Sequence, residues 1–369
     1  MNPIYIKEDY SGLREAIGAF CPDRIFVVCD RAVAHLVPRL GLDAAVVELE
    51  ASEEKKSLRT VEEICRALLE GGADRKSFVL ALGGGIISDM AGFAASIYMR
   101  GIRFAYVPTT LLAMTDAAIG GKTGVNFLSY KNILGSFTEP CFTWMAAASL
   151  EGLPRREVLS GAAEMLKSFI IDNVDGAYST ALEFFRTASL PEKCDAATTA
   201  RLLPLARAAA GVKAGIVSRD FRESGERKLL NLGHSFAHAI EHLAQTGADG
   251  TANTNSADAD GETNINNAGA DGNVGISHGE AVSMGIVLAA RLSCALGYAP
   301  KGFDSLLEAD FAAAGLRVKC PYAPRQLVQA MSRDKKAEAG TLSFVLMRGI
   351  SDVFVEKLEP AKAMALLNE

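Results

Sequence analysis

The run Ser77 to Leu82, SFVLAL, leads without a break into Gly83-Gly84-Gly85 and on into IISD. A short apolar, β-rich run with no polar alternation reads as a buried strand. Glycines let a backbone approach a ligand closely, and the N-terminus of a following helix offers unpaired N–H groups with about half a positive charge. Strand, glycine run and helix together can hold a pyrophosphate. The run GGGIISD matches neither G-x-G-x-x-G nor the P-loop pattern, so it does not name a nucleotide by itself.

The neighbouring segments repeat the alternation. Ile25 to Cys29 (IFVVC), ending in Asp30, and Ala44 to Leu49 (AAVVEL) read as strands. Leu58 to Leu69 reads as a helix with Leu58, Val61, Ile64, Cys65 and Leu68 on one face, stopped at Gly71-Gly72. Phe104 to Val107 is a further strand, ending in Pro108-Thr109-Thr110. Strands alternating with helices predict a parallel sheet. The stretch DAAIGGKTGVNFLSYKN reads as a Gly/Thr/Asn-rich loop. It carries Asp116, Lys122, Asn126, Lys131 and Asn132, and lysines set in such loops suit phosphate or carboxylate binding.

After Leu153-Pro154 the strands give way to Ala/Leu-rich helical patterns at Arg156 to Ile171, Tyr178 to Thr187 and Thr198 to Ala214. The expected architecture is an α/β domain over 1–151 and a mostly α-helical one over 152–369. Phe303 to Glu369 reads as helices with a short SFVLM strand, and Asp334-Lys335-Lys336 is its one charged cluster of interest.

Four of the five histidines cluster at His234, His238, His242 and His278. The first three are spaced i, i+4, i+8, one stripe of a helix, a common way to present imidazoles to a divalent metal. A further His and a carboxylate from elsewhere would complete such a site. Arg227 and Asn231, also i, i+4, extend that stripe in this reading, and a guanidinium fork there would grip a substrate carboxylate. Lys213 approaches from the same side. Glu164 and Lys167 are i, i+3. They read either as a surface ion pair worth under about 1 kcal/mol or as a ligand carboxylate with a substrate donor beside it.

Residues 245–276 are rich in Gly, Ala, Asn, Asp and Thr and read as an insertion that cannot order itself. It fails as a calcium loop, because Gly261 comes too early after Asp258 and Asp260 and no closing Glu follows.

Bulk properties exclude several classes. A net charge of -6 leaves no basic surplus for nucleic acid. Seven cysteines without a CxxC pair suit reduced thiols rather than a disulfide framework. No apolar run is long enough to span a membrane, and MNPIYIKEDYSG has charges where a signal peptide needs an apolar core. A cytoplasmic protein is expected.

The stretch ALGGGIISDMAGFAASIYMRGIRFAYVPTTLLAMTDAAIGGKTGVNFLSYKNILGSF resembles the 3-dehydroquinate synthases, in the sugar phosphate cyclase superfamily. AAEMLK, ERKLLNLGHSFAHAIEH, HGEAVSMG and DKK follow in that family's order. The resemblance implies a Rossmann-like NAD-binding domain over 1–151 and a helical metal- and substrate-binding domain over 152–369. It places a zinc or cobalt ion on Glu164, His234 and His278, with coordination positions open for substrate. His238 moves from the metal to the substrate phosphate.

The same resemblance puts the adenosine end of NAD at Asp30, Glu53 and Lys56 and its pyrophosphate at Gly83, Gly84, Gly85 and Asp89. Thr109, Thr110, Asp116, Lys122 and Lys131 surround its ribose and nicotinamide, and Ser149 to Gly152 also touch it. The family often has threonine where this chain has Gly152. Lys167, Lys213, Arg227 and Asn231 anchor the substrate around metal and carboxylate. Lys122, Asn132, His238, Lys335 and Lys336 hold its phosphate, with Arg100 reaching in from a neighbouring subunit of a homodimer.

The implied reaction turns 3-deoxy-D-arabino-heptulosonate 7-phosphate into 3-dehydroquinate and phosphate, in the shikimate pathway to aromatic amino acids. It proceeds by transient oxidation with NAD, phosphate elimination, re-reduction and an intramolecular aldol. Three alternatives stand beside it. A sibling cyclase would act on a sugar phosphate without a carboxylate and leave Lys213 and Arg227 no task. A metal-dependent NAD alcohol dehydrogenase would give net NADH. A non-catalytic NAD-binding protein would bind cofactor and metal without turnover.

Overall fold

The computed structural model describes residues 2–128, 130–246, 275–333 and 341–368. The expected insertion at 245–276, apart from its ends, lies outside the described residues, as do Asp334, Lys335 and Lys336. The chain forms two compact units, Met1–Arg227 and Lys228–Glu369.

The first unit is built on six parallel strands: β1 (Ile4–Lys7), β2 (Ile25–Asp30), β3 (Ala45–Leu49), β4 (Phe78–Gly83), β5 (Arg103–Pro108) and, after a hairpin of β6 (Lys122–Phe127) and β7 (Tyr130–Phe137), β8 (Thr143–Ala146). Their order across the sheet is β1-β8-β5-β4-β2-β3. Helix α1 (Leu13–Gly18) follows β1, α2 (Leu58–Glu70) precedes β4, and α3 (Gly85–Ile97) links β4 to β5. The parallel sheet expected from the sequence is present.

Strand alternation divides the core between the two faces of the sheet. Phe26, Val28, Val79, Ala81, Phe104 and Tyr106 pack with Val61, Ile64 and Leu68 of α2 and Met90 and Ala94 of α3. Val27, Cys29, Leu80, Leu82, Ala105 and Val107 pack with Leu13, Ile17, Phe142 and Trp144 on the other face. The chain steps from β2 outward to β3 and returns to β4 on the opposite side of β2. That switch point is where open α/β sheets take ligands, beyond the C-terminal strand ends.

The first unit also holds α4 (Arg155–Ile171), α5 (Ala177–Thr187) and α6 (Ala196–Arg219). Secondary structure does change from strand to helix after residue 151, but these three helices are compact with the sheet rather than with the later part of the chain. The reason is visible in α4, which is buried from Ser160 through Ile171. A helix covered all round belongs in a core. At Gly161 an added Cβ would lie 2.5 Å from the Leu112 backbone nitrogen, so α4 rests directly on the turn after β5.

One expectation is corrected here. The Gly/Thr/Asn-rich stretch from Asp116 is not a loop throughout: Lys122–Phe127 and Tyr130–Phe137 pair antiparallel. The glycines that suggested a loop serve close strand approach, since a Cβ at Gly135 would meet the Thr123 carbonyl oxygen at 2.0 Å. The short β1 and β8 and the 3-10 segment Arg31–Leu40 carry no strong sequence signal.

The second unit is mainly helical, with α7 (His234–Thr246), α8 (His278–Ala295), α9 (Phe303–Ala313), α10 (Pro324–Arg333), the hairpin β9 (Leu342–Gly349)/β10 (Asp352–Leu358) and α11 (Pro360–Asn368). A second correction falls here. Glu226–Asn231 is a 3-10 segment, Gly233 turns the chain at φ +77°, and α7 begins only at His234. Arg227 and Asn231 therefore do not continue the histidine stripe.

Candidate active site

In the first unit the predicted nucleotide turn is formed as expected. β4 ends at Gly83, Gly84 stands at the N-cap of α3, and no side chain caps that helix. Its terminal N–H groups suit a pyrophosphate. Close packing demands glycine at two of these positions, where a Cβ at Gly83 would meet Ile87 at 2.7 Å and one at Gly85 Ala117 at 2.9 Å; one at Gly84 would meet the Thr110 methyl at 3.1 Å. Thr109 is buried, and Thr110 accepts the Ala113 amide at 3.1 Å. At the end of β2, Asp30 accepts the amides of Ala32 and Ala51 at 3.2 and 3.4 Å. Gly152 has φ +80°, a left-handed conformation that favours glycine and would strain a threonine.

Lys56, Glu53, Asp89, Lys131 and Asn132 form one network. The Lys56 ammonium is buried and pairs with Asp89 at 2.5 Å, while also donating to Asn132 Oδ1. Asn126 donates to Glu53 at 2.8 Å and accepts the Asn132 amide at 2.9 Å; Lys131 lies 3.9 Å from Glu53. Asn132, expected at the substrate phosphate, is thus tied to residues expected at NAD. Burial raises the Asp89 pKa, against the pull of Lys56.

A second network centres on Asp116. Lys213 donates to its Oδ1 at 2.7 Å and its carbonyl at 2.8 Å, and Lys167 lies 3.6 Å from the same Oδ1. Lys167 also pairs with Glu164 at 2.5 Å, both groups being fully buried. The surface ion-pair reading of Glu164 and Lys167 is therefore excluded. Burial lowers the Lys213 pKa more than Asp116 restores it. Burial acts on Lys167 too, but Glu164 and Asp116 outweigh it and raise its pKa.

Arg227, 1% exposed, donates to the carbonyls of Phe221 and, at 2.8 Å, Gly120. Lys122 pairs with Glu223, a residue the sequence reading missed. Arg100 sits exposed in the turn after α3, at φ +70°.

In the second unit, the His234 and His278 rings meet edge-on with centroids 5.5 Å apart, and the His238 ring lies 5.7 Å from that of His234. The pair forms because α7 and α8 touch at glycines: a Cβ at Gly285 would lie 2.2 Å from the Gly233 carbonyl oxygen. Ser277 and Glu280 cap α8 reciprocally, with Ser277 N donating to Glu280 at 2.7 Å and Glu280 N to Ser277 at 3.3 Å. His278 therefore opens α8 in a defined orientation. His234 Nδ1 bonds the Leu232 carbonyl at 3.2 Å and His278 Nδ1 bonds Glu241 at 3.1 Å. Both partners can accept, and in the neutral tautomer that donates from Nδ1 each Nε2 would carry the metal-binding lone pair. Glu241, on the histidine helix itself, was not singled out by spacing.

Among the described residues, Glu164, His234 and His278 are the side chains that could together hold a metal ion, offering one carboxylate oxygen and two imidazole nitrogens. This donor set suits zinc or cobalt. His242 is not part of that group.

A glycine-cradled nucleotide turn, buried lysines on a shared carboxylate and a Glu/His/His donor set are the parts an NAD- and metal-dependent enzyme needs. Residues 46–160 match the 3-dehydroquinate synthase N-terminal domain, and residues 161–252 and 268–337 match the 3-dehydroquinate synthase C-terminal domain. A 3-dehydroquinate synthase of Desulforamulus reducens is 34% identical over 100% of this chain and 96% of its own. The chain belongs to the 3-dehydroquinate synthase family, whose reaction serves the shikimate pathway and aromatic amino acid biosynthesis.

Two solved structures share the fold. A 2-deoxy-scyllo-inosose synthase complexed with carbaglucose-6-phosphate, NAD+ and Co2+ has a TM-score of 0.79 at 22% identity, covering 99% of this chain and 95% of its own. A 2-epi-5-epi-valiolone synthase from Streptomyces hygroscopicus subsp. jinggangensis, with NAD+ and Zn2+ bound, has a TM-score of 0.77 at 26% identity, covering 94% and 90%. Among the described residues, no helix is long and apolar enough to cross a membrane.

Proposed function

We propose that Glu164, His234 and His278 hold the divalent metal ion, and that Lys167, Lys213, Arg227 and Asn231 anchor 3-deoxy-D-arabino-heptulosonate 7-phosphate for conversion to 3-dehydroquinate and phosphate. When bound, NAD supplies a reversible hydride acceptor and the metal a Lewis acid for substrate oxygens. The rest is positioning and charge by the chain's own groups.

The observation that carries this reading is the buried pair of lysines on Asp116. Buried ammonium groups are costly unless they serve a ligand or a partner. Here two converge on one carboxylate, on the turn that packs against Gly85 of the nucleotide site. Lys167, held charged, offers a fixed positive centre. Lys213, its pKa lowered by burial, is the group better able to exchange a proton. The Arg227 fork is suited to a carboxylate, a group that carbaglucose-6-phosphate, the ligand of the 2-deoxy-scyllo-inosose synthase structure, does not carry.

Lys122 and His238 are assigned to the substrate phosphate, together with Lys335 and Lys336. NAD is assigned to Asp30, the Glu53–Lys56–Asp89 network, the glycine turn and Thr109, Thr110 and Lys131. A homodimer in the cytoplasm, with Arg100 completing the neighbouring site, is part of the same reading. It rests on the resemblance to the family and is checked by light scattering and by activity of mixed R100A subunits.

The deciding experiment follows phosphate release and dehydroquinate absorbance with catalytic NAD, with and without a chelator. Equal amounts of both products, sensitive to the chelator and without residual NADH, are expected. Stoichiometric NADH from another alcohol, or no phosphate, would overturn the reading.

A further inference from the structure

The turn between α6 and the 3-10 segment is organised around one carboxylate that no assignment above uses. Asp220 Oδ1 accepts the Ser224 amide at 3.0 Å and the Ser224 hydroxyl at 3.1 Å. Its Oδ2 accepts the Gly225 amide at 2.7 Å and the Arg227 amide at 3.0 Å. Four donors on two oxygens leave the turn one conformation. That conformation is not one the chain would choose locally, because Glu223 within it lies at φ +61°, where a side chain is disfavoured.

Two side chains on this turn depend on that shape. Glu223 reaches Lys122 from its left-handed position. Arg227 has its amide on Asp220 and one end of its guanidinium on the Phe221 carbonyl, itself part of the turn. The other end is set by Gly120. The Phe221 ring also meets Phe137, whose face the Arg227 guanidinium covers at 5.8 Å. The exposed Arg219–Glu226 pair, with bonds of 2.8 and 2.7 Å, spans the same turn from outside.

We propose that Asp220 is a positioning residue that holds the Asp220–Arg227 turn so that Arg227 presents its guanidinium to the substrate carboxylate, with Glu223 held against Lys122 by the same turn. The inference rests on Arg227 being the carboxylate anchor. Desolvation would raise the Asp220 pKa, but the amides of Gly225, Arg227 and Ser224 outweigh it and hold it at about 2. Asp220 is therefore an anion throughout the working range, and its hold on the turn does not vary with pH.

The test uses D220A, D220N, R227M and the double variant D220A/R227M as holoenzymes with NAD and metal. D220A is expected to raise KM for the heptulosonate phosphate at least about ten-fold while kcat changes less than about three-fold. Loss of an interaction equal in ground and transition states has that signature. D220N, which keeps one accepting oxygen, is expected to fall between D220A and the parent. The double variant is expected to have the KM of R227M, because the two residues act through one contact. A folded D220A with unchanged KM, a kcat loss at constant KM, or additive effects in the double variant would overturn the proposal. If D220A does not fold, D220N and its combination with R227M decide the same question. An R227M variant with parental KM would instead sink the carboxylate-anchor reading, which separates the two failures.

Discussion

Lys213 holds Asp116 by two bonds, to the carboxylate at 2.7 Å and to the main-chain carbonyl at 2.8 Å, across 97 positions of sequence. Burial lowers the pKa of Lys213, and Asp116 opposes that shift. Lys213 is charged below its pKa and neutral above it, so its grip on an anionic substrate is lost as pH rises through that value. In D116N the opposing carboxylate is gone. The alkaline limb of kcat/KM is expected to move to lower pH in D116N and to flatten in K213M, as read from initial rates across the alkaline range. An alkaline limb unmoved in D116N would show that another group sets it.

Glu241 bonds His278 Nδ1 at 3.1 Å. Outer-shell carboxylates of this kind typically alter metal affinity about 10- to 100-fold. E241A is expected to lose affinity on that scale with Tm in excess metal nearly unchanged, measured by competition with a chromogenic chelator. E241Q, which keeps an oxygen acceptor, is expected to lose less.

K56M leaves Asp89 without its buried ammonium. Breaking one partner of a buried pair costs about 3–5 kcal/mol, and the rise in Asp89 pKa already present from burial is expected to grow. Urea unfolding should show a destabilisation near the lower end of that range, because Asp89 can protonate in response. Weaker NAD binding by calorimetry should accompany it, since Asp89 lies on the first turns of α3. Unchanged stability would mean the pair is solvated in solution.

G161A places a methyl group 2.5 Å from the Leu112 backbone nitrogen. A backbone neighbour cannot swing aside, and overpacking of this kind costs about 1–3 kcal/mol. A lower midpoint of thermal unfolding is expected, with loss of activity exceeding the loss of fold. The helix that carries Glu164 and Lys167 would be pushed off the turn that carries Asp116. Activity preserved in a destabilised G161A would separate that packing from the chemistry.

Much of the site was legible before the fold was known, and for identifiable reasons. The glycine turn after β4 was readable because its spacing along the chain is its geometry; of the three aligned histidines, only His234 belongs to the donor set, with Glu164 and His278 from other helices. The Gly/Thr/Asn-rich stretch misled because glycine marks loops and close strand pairs alike, and only the Thr123–Gly135 approach tells which applies. Glu223 and Asp220 carried no signal, since acidic residues on a turn are ordinarily solvated. Glu241 gave no signal because the histidine it bonds, His278, lies on another helix.

By itself the sequence determined four of the six strands of the parallel sheet, the uncapped turn at Gly83 to Gly85 and the helical second half. These follow from periodicity and backbone sterics over a few residues, which act before any distant contact forms. Only the tertiary structure decided that the histidine helix begins at His234, that Asn132 bonds Lys56, and that Lys167 and Lys213 share Asp116. Such pairings are chosen by desolvation, where a buried charge must find a partner wherever the packed chain supplies one.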